Sequence, residues 1–165
     1  MTNILIPVEE KKYAEAQVEF LGKHELPADT TFTILTVIAP LSVPDYGFAV
    51  PHSYIEAMTK EETAACRKLL DETKASLKKR FPNSTIKTQV ENGRPAPEIL
   101  RAAKEDEIDW IILGSHGRTG LDRFFLGSVS LSVVNHAHCS VTIVRIPEPQ
   151  LKAEGGKEVA GTARK

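Results

Sequence analysis

Short apolar runs separated by amphipathic segments are the feature that most restricts how this chain can fold. Residues 3–8 are rich in isoleucine, leucine and valine and lack the alternating polar residues of a strand with one wet face. This pattern predicts a strand that is buried on both faces, which is typical of parallel sheets. Four further runs predict strands at residues 31–38, 85–90, 109–113 and 141–145.

Helical patterns occupy the segments between these runs. Three segments carry an inner face at a helical spacing, comprising Ala14, Val18 and Leu21; Cys66, Leu69, Leu70, Thr73 and Leu77 within residues 53–81; and Ile99, Leu100 and Ala103. A fourth helix is predicted at residues 128–137. The alternation predicts an α/β fold, an open five-stranded parallel sheet with helices on both faces and a Rossmann-like architecture. We expect residues 1–147 to form one domain and residues 148–165 to form a disordered polar tail.

Composition restricts the environment and the partners of the chain. Of its 165 residues, 41% are hydrophobic and 26% are charged, and the formal net charge is −1. We therefore expect a soluble protein without affinity for nucleic acid or for a membrane surface. No apolar run approaches the ~20 residues that span a bilayer, and the first residues do not resemble a secretory signal. The distant Cys66 and Cys139 are expected to be free thiols in the cytoplasm.

The stretch after the fourth predicted strand has the most specific composition. It contains Gly114, Gly117 and Gly127, followed by Ser128 at the start of a predicted helix. Glycines let the backbone approach a ligand or adopt positive φ, and the first amides of a helix attract anions. Ligands of open parallel sheets bind beyond the carboxyl ends of the strands, so this stretch predicts a phosphate-binding site, with Arg118 available on the intervening loop.

Each of these residues also has a simpler interpretation. The glycines can be turn formers, and Ser128 can be the N-cap of its helix. His116 is expected to donate a hydrogen bond from the loop, since no carboxylate partner for a catalytic base is evident. His136, His138 and Cys139 are close in sequence, but their spacing matches no standard zinc pattern. We therefore predict no catalytic residue and no metal site.

Several well-defined enzyme motifs are absent from the sequence. There is no P-loop, and the first strand is followed by Glu9, Glu10 and Lys11 instead of a glycine-rich dinucleotide turn. Residues 127–131 lack the final glycine of a nucleophile elbow. Because no nucleophile, base and orienting acid occur together, we expect weak ATPase activity at most.

The order Gly114-x2-Gly117-x9-Gly127-Ser128 resembles the ATP-binding signature of the universal stress protein family. The resemblance covers about residues 2–146. Beyond the signature it includes residues 4–8, 90–99, 109–120 and 140–145.

This resemblance implies a nucleotide-binding protein of the stress response, with ATP (or ADP or AMP), with or without Mg²⁺, between the first and fourth strands. Pro7, Val8 and Val37 would line the adenine and ribose. The phosphates would be held by Gly114, Gly117, Gly127, Ser128 and Val129. The family resemblance also implies a homodimer that forms through the last strand, from Val141 to Ile146.

Two positions depart from the family pattern. Glu9 stands where the family has aspartate and is one methylene longer, which changes its reach towards the base or ribose, and Ser140 replaces a proline. Taken together, these sequence features leave three function classes. They are a nucleotide-binding regulatory or stress-tolerance module, a slow Mg²⁺-dependent ATPase or phosphotransferase, and a nucleotide-free dimer. The last would bind a partner through the proline-rich loop around Tyr46 and Phe48.

Overall fold

A computed structural model describes residues 2–40, 52–115 and 126–146, with side chains from residue 59 onward in the second segment. The loop around Tyr46 and Phe48 and the tail at 148–165 lie outside the described residues. Strands and helices alternate along the chain, in the order β1 (Asn3–Pro7), α1 (Lys11–Leu21), β2 (Thr31–Ile38), α2 (His52–Arg80), β3 (Thr85–Asn92), α3 (Pro95–Glu105), β4 (Trp110–Gly114), α4 (Ser128–His136) and β5 (Ser140–Val144).

The strands form one sheet in the order β3-β2-β1-β4-β5, and every neighbouring pair is parallel. This confirms the prediction of an open, Rossmann-like parallel sheet. At most elements, the observed boundaries differ from the predicted ones by no more than one residue. The exception is β3, which continues to Asn92 because Val37 and Ile38 still pair with Glu91 and Asn92.

Helices cover both faces of the sheet and enclose two hydrophobic cores. On one face, α1 and α2 bury Val18, Leu21 and Leu77 against Ile4 and Ile6. On the other face, α3 and α4 contribute Ile99, Ala103 and Val133, which pack with Leu5 and Ile111. Successive residues of β1 therefore enter opposite cores, as a strand buried on both faces requires.

The chain changes direction across the sheet at β1. Strands β2 and β3 follow each other to one side of β1, and β4 and β5 follow to the other side. The crevice between β1 and β4 is therefore the topological switch point, where sheets of this type bind ligands. Within the part of the chain that the structure describes, no helix combines the length and apolar character needed to cross a bilayer.

Candidate nucleotide-binding site

A cleft of about 970 Å³ lies at the carboxyl edge of the sheet, above the switch point. All of the sequence-predicted site residues that the structure describes line this cleft, namely Pro7, Val8, Glu9, Val37, Gly114, Gly127, Ser128 and Val129. His116, Gly117 and Arg118 lie outside the described residues. Residues that are distant in the sequence are thus brought to one place by the topology.

The β1 side of the cleft has a fixed backbone. The Val8 N–H donates to Leu35 O at 2.8 Å, and the buried Thr36 hydroxyl donates to Val8 O at 3.1 Å. Both main-chain groups of Val8 are therefore engaged, so Val8 offers the cleft its side chain.

Val37 offers the cleft its main chain instead. Leu35 O accepts a hydrogen bond from β1, whereas Ile38 O accepts one from Gly93 N–H beyond β3 at 2.9 Å. Alternate residues of a strand face alternate neighbours, so Val37 faces the same side as Leu35. Strand β1 ends at Pro7, opposite Leu35. The N–H and C=O of Val37 therefore point past the end of β1 and into the cleft.

The opposite end of the cleft is the N-terminus of α4. Gly127 is the N-cap residue, with φ −58° and ψ 155°, and its carbonyl accepts the Leu131 N–H at 2.9 Å. The first amides of the helix, at Ser128, Val129 and Ser130, have no acceptor within the helix, and all three residues line the cleft. This terminus presents several N–H donors and the positive end of the helix dipole to the cleft.

The structure corrects two interpretations of this region. Ser128 is the first residue of α4, and the N-cap is Gly127. Neither described glycine of the signature uses positive φ, which among the described glycines occurs at Gly93 (φ 150°). Gly114 is required for a different reason, since a Cβ atom there would lie 2.9 Å from the Cβ of Tyr13.

Helix α2 forms a wall of the cleft that was not predicted from the sequence. Its cleft-lining residues are Glu62, Ala65, Cys66, Lys68, Leu69 and Glu72. The sequence placed Cys66 and Leu69 in the inner stripe of the helix; both are partly buried and line the cleft, and Leu69 also packs against the core. The sequence signal for this wall was the length of α2, because a helix of 29 residues extends well beyond strands of 5 to 8 residues.

Charged groups of both signs face the cleft. Lys11, at the start of α1, pairs with Glu72 of α2 at 3.1 Å. The hydrogen bond and the charge of Glu72 raise the pKa of Lys11. Lys11 therefore remains protonated over the physiological pH range and is the cation that α1 contributes to the cleft.

The candidate metal ligands near the end of α4 are not arranged as a site. His136 Nδ1 lies 2.8 Å from Ser132 O within its own helix. Over the described residues, no group of three or more histidine, cysteine or acidic side chains is placed to hold a metal ion. A second cleft, of about 590 Å³ beside Lys74, Lys78 and Ser84, contains none of the predicted site residues.

Comparison with known proteins agrees with this architecture. The model of the universal stress protein family matches residues 1–145. The chain belongs to this family. A universal stress protein of Methanothermobacter thermautotrophicus is 35% identical over 99 residues, which are 59% of this chain and 67% of the relative. Two further relatives, universal stress proteins of Methanocaldococcus jannaschii and Mycobacterium bovis, are matched over 38% and 32% of their own length.

Solved structures of universal stress proteins share the fold. UspA from Lactobacillus plantarum is 27% identical, with a TM-score of 0.67, and the match covers 87% of this chain and 97% of that one. A family protein from Arabidopsis thaliana with AMP bound has a TM-score of 0.65 at 17% identity, covering 91% and 95% of the two chains. At that identity, the second likeness bears on the fold alone.

Proposed function

We propose that the cleft binds an adenine nucleotide, with ATP as the working ligand, and that the protein acts as a regulatory or stress-tolerance module. One observation carries this proposal: a single cleft joins the outward-facing main chain of Val37 to the N-terminal amides of α4. The first group suits the edge of a base and the second suits phosphate oxygens. A nucleotide is the ligand class that needs both.

The Val37 end favours adenine over guanine. An N–H and a C=O of one residue match the Watson–Crick edge of adenine, which presents the N1 acceptor beside the N6 amino donor. Guanine presents a donor and an acceptor in the reverse order at the same positions. The side chains of Pro7 and Val8 lie in the same cleft and provide apolar contact for the base. Glu9 also lines the cleft, and in the proposal it contacts the ribose.

The α4 end supplies the donors for the phosphates. Amides of Ser128, Val129 and Ser130 point at the cleft without intrahelical acceptors. The Ser128 hydroxyl, together with Lys11 and Lys68 in the walls, adds polar groups of the appropriate kind. A Mg²⁺ ion would be held mainly by the phosphates themselves. In the proposal, Gly117, His116 and Arg118 complete this end of the site.

The Arabidopsis structure with AMP bound supports the proposal only as far as the fold. It is an example of a protein with this architecture that takes an adenine nucleotide. The choice of adenine and the position of the phosphates rest on the residues of the present cleft.

The ligand can be identified directly. The purified full-length chain is denatured, and the supernatant is separated by anion exchange against nucleotide standards. The ligand-free protein is then titrated calorimetrically with ATP, ADP, AMP and GTP, and phosphate release is followed in parallel. We expect an adenine nucleotide to bind near one per chain, GTP to bind more weakly, and phosphate release to be slow. An empty supernatant and no heat with ATP·Mg²⁺ would move the assignment to the nucleotide-free interaction dimer.

The proposal includes the assembly and location of the protein. Residues 1–147 would act as one cytoplasmic domain, with residues 148–165 as a polar tail. Strand β5 is the last strand of the described sheet, so its outer edge has no described partner strand. Exposed Leu131 and Val134 lie on the neighbouring helix α4. An apolar edge of this kind needs cover, and a second copy paired along Val141 to Ile146 would provide it.

A further inference from the structure

The opening of the cleft begins with an interruption in the hydrogen bonding between β1 and β4. These strands pair only at Ile4↔Trp110 and Leu5↔Ile111. On its other side, β1 pairs with β2 as far as Pro7, and β4 pairs with β5 as far as Gly114. The interruption in strand pairing is therefore confined to the junction between β1 and β4.

Pro7 explains why the pairing stops there. Asn3 O accepts the Asp109 N–H, whereas Val8 N–H donates to β2, so odd-numbered residues of β1 face β4. Continued pairing would require the N–H of residue 7 to donate to Ile112 O. Proline has no N–H, so this bond cannot form. The carbonyl of Ile112 and that of Pro7 are left facing each other across the gap.

Gln17 of α1 occupies this gap. Its side chain is fully buried, and its Nε2 donates to Pro7 O at 2.9 Å and to Ile112 O at 2.8 Å. One carboxamide NH₂ has two hydrogens, so a single side chain satisfies both strand carbonyls. Among the described groups, none pairs with Gln17 Oε1, which is also buried.

We propose that Gln17 is a positioning residue for the nucleotide: its bridge sets the distance between the two walls of the cleft. This inference rests on the proposed function. Pro7 and Val8 belong to the base wall, and Gly114, two residues after Ile112, belongs to the other wall. A bridge that holds these walls in place before binding reduces the cost of ordering them around a ligand.

The bridge has a specific consequence for ligand choice. ATP contacts both walls at once, so its affinity depends on their separation. Adenosine contacts the base wall and makes no contact with the α4 amides through phosphates. Loss of the bridge therefore weakens ATP more than adenosine, whereas general destabilisation of the fold leaves the ratio of the two affinities unchanged in the folded protein.

The test compares Gln17→Met with Gln89→Met in the full-length chain. Both substitutions keep the side-chain length and remove an amide whose Oε1 is buried without a described partner. Gln89 lies on β3, donates to Asp106 Oδ2 at 3.0 Å and does not line the cleft. Two measurements are made: amide hydrogen exchange without ligand at Val8 and Ser115, and dissociation constants for ATP and adenosine.

For Gln17→Met we expect faster exchange at both amides and about tenfold weaker ATP binding, with a smaller change for adenosine. Gln89→Met should change neither quantity. If Gln17→Met does not fold, Gln17→Glu replaces it. A buried glutamate stays protonated and retains one donor, so an intermediate effect is expected.

Unchanged exchange and an unchanged ATP to adenosine ratio in Gln17→Met would overturn the inference. If the parent protein binds no nucleotide, the proposed function fails, and exchange alone decides the role of Gln17. Faster exchange at Val8 and Ser115 that is absent in Gln89→Met then supports the bridge, and equal exchange in the two variants overturns it.

Discussion

At the scale of single residues, the two described glycines of the signature differ in what surrounds them. A Cβ atom at Gly127 would have no described atom within 4 Å, whereas one at Gly114 would lie 2.9 Å from Tyr13 Cβ. Gly127 has ordinary backbone angles, φ −58° and ψ 155°, that any residue can adopt. Among the described residues, a side chain therefore meets no obstacle at Gly127 but does at Gly114, and in the proposed site the phosphates occupy the space in front of Gly127.

Substitution of Gly127 should separate binding from folding. We expect Gly127→Val to lose at least about tenfold in ATP affinity, because the side chain enters the space through which phosphates reach the α4 amides. Its melting temperature should stay close to that of the parent. Calorimetric titration and thermal unfolding measure the two quantities. A folded Gly127→Val protein that binds ATP as well as the parent would contradict the placement of the phosphates.

Gly114→Ala is the matched contrast. Its added methyl group is forced against Tyr13 at the start of α1, and such overpacking costs about 1–3 kcal/mol of unfolding free energy. We expect a lower midpoint in urea unfolding. An unchanged midpoint would indicate that α1 shifts at little cost and that Gly114 is not required for packing.

At the scale of elements, helix α2 is both a core element and a wall of the cleft. Leu70 and Leu77 are buried against the sheet, whereas Cys66 and Leu69 line the cleft. The same apolar stripe therefore serves two environments along one helix. This places a thiol in the proposed site.

The two cysteines provide an internal comparison for the position of the ligand. Both are partly buried, and desolvation is the main cause that raises the pKa of each thiol, but only Cys66 lines the cleft. At ATP concentrations about ten times the dissociation constant, alkylation of Cys66 by iodoacetamide should slow by about tenfold. Cys139 should react at its original rate. Peptide mass spectrometry measures both rates, and equal protection of the two thiols would point to a global change instead of occupancy of the cleft.

At the scale of the whole molecule, β5 is expected to be the dimer edge. Ser140 N–H donates to Asp109 O, and Val144 O accepts from Ser115, so even-numbered residues of β5 face β4. The N–H of Val141 therefore points outward, away from the described sheet. Proline on an edge strand removes an outward donor without breaking the inner ladder.

We expect Val141→Pro to convert a dimer into a folded monomer, as measured by light scattering coupled to size-exclusion chromatography and by circular dichroism. Val141→Ala keeps the N–H and should remain dimeric, which separates the loss of the donor from the loss of apolar contact. A folded Val141→Pro protein with the mass of a dimer would show that the subunits associate elsewhere.

Much of the fold could be predicted because burial leaves a local pattern. Residues 31–38 and the apolar spacing of Ala14, Val18 and Leu21 correspond to β2 and the buried face of α1. Less of the candidate site could be predicted from the sequence. The apolar stripe of α2 indicated which face is inward, but it did not indicate where the sheet ends and the cleft begins, so it did not identify Cys66 and Leu69 as residues of the cleft wall.

The sequence by itself determined the elements, their order and the glycine-rich segment that follows β4, because periodicity and backbone freedom are properties of neighbouring residues. Only the tertiary structure decided which distant groups meet. Gly114 is a glycine because Tyr13 packs against it, and Gln17 bridges Pro7 to Ile112 although 95 residues separate Gln17 from Ile112. Such contacts depend on the order of the strands and on the crossing of helices over them, and neither is encoded in any local stretch of the chain.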